Sequence, residues 1–184
     1  MSDATRSGLR IETPRLILRL PVMDDAPRIA EILNNFAVAG NLARVPYPYF
    51  EDDARAWLRT RRPGLPPEET NFAIDLGDHG PIGMVGFHLK HRQPVLGYYL
   101  GQPYWGRGLM TEATAAAIDW FFATTAAPAI VSGVFAFNKA SLAVQKKLGF
   151  VETGRSLLHC LARNEELRHI DTELTRQAWI GRTP

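Results

Sequence analysis

The chain has 184 residues, 46% hydrophobic and 22% charged, with 21 Lys+Arg against 19 Asp+Glu. That is one globular domain of ordinary soluble composition, long enough to bury roughly 70% of its extended surface without a metal or disulfide. A net charge of +2 excludes a nucleic-acid binder driven by bulk charge, and the single cysteine, Cys160, excludes an internal disulfide.

Met1–Gly8 carries Asp3 and Arg6 and no apolar core, so it does not read as a signal peptide. Residues 1–10 read as a flexible N-terminal arm and 11–180 as the single domain. Arg15–Leu20 alternates apolar and basic residues and predicts a first strand, ended by Pro21. Asp24 is the expected cap of a helix with Pro27 in its first turn and Ile29, Ile32 and Leu33 on one face. Val45-Pro46-Tyr47-Pro48-Tyr49 cannot be helical, because each proline pushes its predecessor to extended geometry. A second helix is predicted over Glu51–Arg62, its first turn carrying Glu51, Asp52 and Asp53 at the positive end of the dipole.

Asn71–Leu76, Ile82–Lys90 and Val95–Leu100 read as three consecutive strands of a meander. Gly108 to about Thr124 is helical, with Leu109, Ala113, Ala116, Ala117 and Trp120 on one face. The apolar run Ala113–Val131 is broken by Asp119 and Pro128, so no membrane span is expected and the localisation expected is cytoplasmic. Ile130–Phe135 is a strand. Asn138–Leu148 is a helix with Asn138 as its cap and Gly149 just past its end. Phe150–Leu157 and Arg168–Thr175 complete the sheet. The expected class is α/β (α+β): a mixed, largely antiparallel twisted sheet of about six to seven strands flanked by about four helices.

The chemistry concentrates in Leu100-Gly101-Gln102-Pro103-Tyr104-Trp105-Gly106-Arg107-Gly108-Leu109-Met110-Thr111-Glu112. A strand ends, a glycine-rich turn follows and a helix begins. Glycines let amides converge and a ligand approach closely, and the helix start adds free N–H donors and positive potential. That suits a diphosphate; a tight strand-to-helix turn with no ligand is the alternative. The run is no Walker loop, lacking Gly-Lys-Ser/Thr, and no dinucleotide fingerprint, because Thr111 stands where its third glycine would be.

From Glu12 to Trp179 the sequence resembles the GNAT N-acetyltransferases, of the RimJ/RimL type. The matching pieces are Glu12-Thr13-Pro14-Arg15-Leu16-Ile17-Leu18-Arg19, Val45–Tyr49, Gly97-Tyr98-Tyr99-Leu100, Tyr104–Ala113, Asn138-Lys139-Ala140-Ser141, Lys147-Leu148-Gly149-Phe150 and His169-Ile170-Asp171-Thr172. The resemblance implies the GNAT fold, with acetyl-CoA as co-substrate and no metal. It makes Trp105, Gly106, Arg107, Gly108, Leu109, Met110 and Thr111 the diphosphate loop. Trp105 stands for the family's Gln/Arg, and Met110 replaces a small residue and so crowds the loop. Arg107 adds charge at a phosphate or is simply exposed.

The resemblance also implies that the backbone of Tyr98–Leu100 pairs with pantetheine and that an N–H near Leu100 or Gly101 faces the thioester oxygen. Asn138 reaches the pantetheine or serves only as a cap, and Ser141 lies near the sulfur. Many family members place an acid Tyr where this chain has Gln145, which leaves Ser141 or a water to protonate the thiolate, or a thiolate that leaves unprotonated. Where relatives often have a Glu ahead of the Gly-Tyr pair, this chain reads Pro94-Val95-Leu96. Glu112 and His88 are the remaining base candidates, each with a structural alternative.

The acceptor is a primary amine, either a protein N-terminus or a small molecule, with Asn41, Arg44, Tyr47, Tyr49 and Tyr98 shaping its pocket. An α-amine, with a pKa of about 8, costs roughly 1 kcal/mol to deprotonate at pH 7, whereas a lysine costs roughly 4–5. The expected partners include neither nucleic acid nor membrane, and the assembly is a monomer or homodimer. The rival reading is a non-catalytic acyl-CoA-binding or sensing module. His88-x-x-His91 lacks a third ligand for a metal, and Cys160 beside His159 has no nucleophile context.

Overall fold

The computed structural model describes residues 8–61, 64–77 and 80–182. Eight strands form one sheet: β1 (Arg10–Glu12), β2 (Ile17–Arg19), β3 (Asn71–Asp75), β4 (Pro81–Lys90), β5 (Gln93–Leu100), β6 (Ala129–Phe135), β7 (Val151–Cys160) and β8 (Glu165–Thr175). Among the described residues there are six α-helices: α1 (Ala26–Leu33), α2 (Phe36–Ala39), α3 (Glu51–Leu58), α4 (Leu109–Thr124), α5 (Lys139–Lys147) and α6 (Arg176–Ile180). The strand order is β1-β2-β3-β4-β5-β6-β8-β7. Neighbours are antiparallel except β5 and β6, which run parallel.

The expected class and the β3–β4–β5 meander are as read from the sequence, with eight strands rather than six to seven. The additions are short pieces that tertiary packing supports: β1, the single turn of α2, and α6, capped by the Thr175 hydroxyl. Of the N-terminal arm, residues 1–7 lie outside the described residues; Leu9 already packs on the core and Arg10 opens β1. The helix expected to reach Arg62 ends at Leu58, and Arg62 lies outside the described residues. Asp24 does not cap α1. The neighbouring Asp25 takes the Val22 N–H and the Arg19 guanidinium, and Arg19 also grips Asp75 of β3. Asn138 and Gly149 behave as expected: the Asn138 side chain accepts the Ser141 N–H, and Gly149 has a φ of +90°.

Two cores sandwich the sheet. On one face α4 lays Leu109, Ala113, Ala117, Ile118 and Phe121 on Val85, Phe87 and Ile130, with the Phe87 and Phe121 rings stacked at 4.3 Å. On the other, α1 and α3 pack Ile29, Leu33 and Leu58 on Ala73 and Met84. Fully burying each such side chain contributes about 1.5–3 kcal/mol.

The parallel pair β5–β6 touches in register only at Val95 and Val131, beyond which the strands part. The junction is held by a chain of polar groups. The Thr172 hydroxyl donates to Gln145 Oε1 at 2.7 Å, Gln145 Nε2 donates to Ser132 Oγ at 2.9 Å, and Ser132 donates to the Leu96 carbonyl at 2.9 Å. Gln145 and Thr172 are buried. Gln145 thus ties α5, β8, β6 and β5 together where the gap begins. Gln145→Leu strands the buried Thr172 hydroxyl and is expected to lower unfolding free energy by about 1–3 kcal/mol. Urea denaturation should show a lower midpoint at unchanged slope; an unchanged midpoint would remove this chain from the stability of the fold.

Candidate active site

The turn between β5 and α4 follows from its two glycines. Gly106 and Gly108 both have φ of +73°, a left-handed conformation that glycine adopts without strain. A side chain at Gly106 would meet nothing within 4 Å, so open space rather than packing lies over the loop. The first bond into α4 runs from Glu112 N–H to Gly108 C=O, so the amides of Leu109, Met110 and Thr111 precede intrahelical pairing. Leu109 and Met110 turn their side chains into the core, so Met110 does not crowd the loop, and each has only backbone to offer a ligand. Arg107 is exposed. Trp105 donates its indole N–H to the Leu100 carbonyl at 2.7 Å, tying the loop to the end of β5.

The N-terminal segment braces this loop. Glu112 Oε1 accepts the Thr13 hydroxyl at 2.7 Å and the Arg15 amide at 2.9 Å, and Oε2 accepts Arg15 Nε at 2.6 Å. Arg15 also donates to the Arg107 carbonyl at 2.9 Å, which sets its guanidinium beside Gly108. Burial alone would raise the Glu112 carboxyl; the Thr13 hydroxyl and the Arg15 side chain and amide together outweigh it and hold the carboxyl below its ordinary value. These bonds make Glu112 a brace and occupy the oxygens that a base would use.

Along β5 the donors alternate. Gly101 N–H bonds Ile82 on the β4 side, so the groups of Gly97 and Tyr99 turn toward β4 and those of Tyr98 and Leu100 toward the gap. The carbonyls of Leu96 and Leu100 are accordingly taken from the gap side, by Ser132 and Trp105. The amides of Tyr98 and Leu100 face the space between β5 and β6.

Side chains of β5 alternate across the sheet in the same way. Tyr98 points to the α5 side, where its hydroxyl lies 2.8 Å from Ser141 Oγ. Burial raises the phenol, and hydrogen bonds to Ser141 and Gln145 offset part of that. Tyr99 instead joins the α1–α3 core, where burial pushes its hydroxyl far up. Tyr99, rather than Tyr98, is therefore the β5 tyrosine on the side of the expected acceptor loop.

That loop, residues 34–49, includes α2. Asn41 donates to the Ala37 carbonyl at 2.6 Å, and Tyr49 is buried, its hydroxyl pushed up to about 12 by burial and by Asp53, so both serve packing. Arg44 and Tyr47 are exposed, and Tyr47 meets Phe36 edge-on at 5.3 Å. Arg163, from the β7–β8 turn, sits between the Phe36 and Phe137 rings, 5.0 and 4.8 Å from their centroids. His88 lies on β4 opposite Val95; burial, Arg44, Lys90 and Arg61 push it down to about 4, so it is uncharged at neutral pH.

Sequence reasoning did not single out Arg15, the Tyr98–Ser141 pair or Arg163. Arg15 and Tyr98 lie within quoted motifs, but their partners are 97 and 43 residues away, and no local periodicity reports such contacts. Among the described residues no cluster of three metal-ligating side chains occurs, and no helix is long and apolar enough to cross a membrane.

Residues 15–151 match the model of the acetyltransferase (GNAT) domain. The SPbeta prophage-derived N-acetyltransferase YokL of Bacillus subtilis is 27% identical over 150 residues, 80% of this chain and 77% of that protein. The [ribosomal protein uS5]-alanine N-acetyltransferase of Escherichia coli is 34% identical over 113 residues, 61% of this chain and 56% of its own. Among solved structures, spermidine N-acetyltransferase from Vibrio cholerae, in complex with CoA and spermine, superposes with a TM-score of 0.78 at 17% identity, covering 92% of this chain and all (100%) of that one.

Glu112→Ala releases the brace on the loop and is expected to cost about 1–3 kcal/mol of stability at neutral pH. Because the folded carboxyl is depressed, its contribution is full above the unfolded value of about 4.3 and is lost as pH falls through the folded one. Chemical denaturation from pH 7 to pH 3 should show the difference from wild type narrowing in acid; a constant difference would mean the carboxylate charge is not what holds the loop.

Proposed function

The chain belongs to the acetyltransferase (GNAT) domain family, and on that premise we propose that it moves the acetyl group of acetyl-CoA directly to a primary amine in a ternary complex. The acceptor is the α-amine of a protein N-terminus or an amine of a small molecule. One observation carries this reading: two left-handed glycines expose the free amides of α4 under open space, in line with a gap edged by the unpaired amides of β5. The donor set fits a diphosphate leading into a row of amides.

Acetyl-CoA supplies an activated thioester when bound. Leu109, Met110 and Thr111 offer backbone N–H groups to the diphosphate, at the positive end of a sixteen-residue helix. Gly106 and Gly108 shape that approach, with Arg107 and Trp105 at its edge. The amides of Tyr98 and Leu100 orient the pantetheine arm, and the Leu100 N–H stabilises the developing oxyanion. Asn138, whose side-chain oxygen caps α5, keeps its amino group for a pantetheine carbonyl. Tyr98 and Ser141 stand where the thiolate leaves, and burial keeps the phenol protonated and able to donate. Direct transfer is favoured because Cys160 is buried and turned toward the carbonyl of Leu42.

Specific residues also support the second reading, a non-catalytic acyl-CoA module. Gln145 holds the junction of the strands instead of an acid, and Val95 offers no carboxylate. Calorimetry and thiol release over a panel of amines separate the two: catalysis gives thiol with at least one amine, whereas binding without release favours the module.

Gly108→Asp keeps a residue that tolerates the left-handed backbone but sets a negative charge at the diphosphate. It is expected to weaken acetyl-CoA binding by at least about 100-fold in protein that remains folded by circular dichroism; unchanged affinity by calorimetry would refute the loop assignment. Ser141→Ala and Tyr98→Phe should each lower kcat roughly 10-fold or more while shifting KM little. Equal kinetics with wild type in both would remove the pair from the mechanism.

A further inference from the structure

Across the acceptor face of the sheet runs a row with almost no side chains: Gly86 opposite Gly97, then across the gap Gly133 opposite Asp171, which in turn faces Gly154. Gly97 is exposed, and a β-carbon there would meet nothing within 4 Å. Gly97 thus leaves an opening on this face of the sheet just past the point where β5 and β6 part.

One ring leans over this row. His169, two residues before Asp171 on β8, lays its imidazole over Gly133, where a β-carbon would collide with Cε1 and lie 2.8 Å from Nε2. Only glycine at 133 admits the ring. His169 Nδ1 is 2.9 Å from Asp171 Oδ1, which also accepts the Ser156 hydroxyl at 3.1 Å. Phe135 packs against the ring edge-on at 5.8 Å. The imidazole is thus faced by Asp171 from its own strand, Ser156 from β7, and Gly133 and Phe135 from β6. In the tautomer that donates Nδ1–H to Asp171, the ring carries its lone pair on Nε2. Nε2 has no protein partner among the described residues, and it lies over the strand that borders the gap. A carboxylate, a ring nitrogen held by it and a second nitrogen without a protein partner form an oriented base.

We propose that His169, oriented by Asp171, is the base that deprotonates the acceptor, and that the acceptor is accordingly an amine bound as its ammonium ion; this rests on the acetyl-transfer reading above. His169 Nε2 takes one proton from the ammonium. The freed lone pair forms the C–N bond to the acetyl carbon, the C–S bond breaks, and the nitrogen loses its second proton. The departing thiolate receives a proton from the Tyr98–Ser141 side, and that pair is reprotonated by the proton the nitrogen sheds. The imidazolium, stabilised by Asp171, returns its proton to water, so each acetyl transferred releases one net proton. Base and acid stand on opposite faces of the sheet, with the gap between them.

His169→Gln and Asp171→Asn test this, with an N-terminal peptide amine and an amine already neutral at the assay pH, such as a hydrazide, as acceptors. With the peptide, His169→Gln is expected to lower kcat/KM about 100-fold and Asp171→Asn about 10-fold, with acetyl-CoA affinity and melting temperature retained. With the hydrazide the losses should shrink to within about 3-fold, because no proton need be removed before attack. The peptide loss should also shrink as pH rises above the acceptor's own pKa. Wild-type-like kinetics of both variants, or equal losses with both acceptors, would overturn the dyad while leaving acetyl transfer standing. A wild-type protein that acetylates neither acceptor nor any other amine overturns acetyl transfer itself, and the base with it.

Discussion

A single carboxylate anchors the glycine-rich turn between β5 and α4, the proposed seat of the diphosphate. Glu112 collects a hydroxyl, an amide and a guanidinium from residues 13–15, and Arg15 carries the grip on to the Arg107 carbonyl. A loop with two left-handed glycines is entropically expensive to hold, because glycine has the most freedom to lose. Fastening it from outside means that its amides are already converged before a ligand arrives, and preorganised donors need no rearrangement at binding. The extended segment ahead of β2 is therefore part of the cradle, although it is far from it in sequence.

The junction of β5 and β6 has a comparable logic. Parallel neighbours that separate after one register pair leave amides and carbonyls without strand partners. The carbonyls of Leu96 and Leu100 are satisfied by Ser132 and by the Trp105 indole. The amides of Tyr98 and Leu100 are left to the gap. An opened pair of strands so becomes an edge that offers the gap the amides of Tyr98 and Leu100 and the carbonyl of Tyr98, the alternation that a chain of amides requires.

What the sequence made legible was local. The helix over residues 109–124, the cap at Asn138, the stop at Gly149 and the non-helical Pro-Tyr-Pro run each depend on neighbours within one turn, and all stand in the structure. The glycine-rich turn was readable for the same reason. Tyr98 was expected at the acceptor pocket, but Tyr99 faces that side; nothing local separates the two, since both faces of the sheet are covered and both residues are aromatic. Asp24 read as the cap of the first helix; the structure puts Asp25 at that end instead, held by Arg19, which also grips Asp75 more than fifty residues away. Glu112 read as a first-turn acid, and only the approach of residues 13–15 shows what it holds. His169 and Asp171 were visible as a motif without a role, because that role depends on Gly133, which nothing in a linear reading pairs with them.

The seat of Arg163 between Phe36 and Phe137 has a last consequence. The doorway through which an acceptor would enter has one jamb from the helix and loop after α1 and the other from the final hairpin, joined by Arg163 Nε donating to the Gly40 carbonyl at 2.8 Å. The first jamb also reaches the β5–α4 connection, where Asn35 Nδ2 donates to Gln102 Oε1 at 2.8 Å. Changes at the tip of the final hairpin would therefore reshape the proposed threshold alone, while changes near Asn35 would also be felt at the proposed donor end.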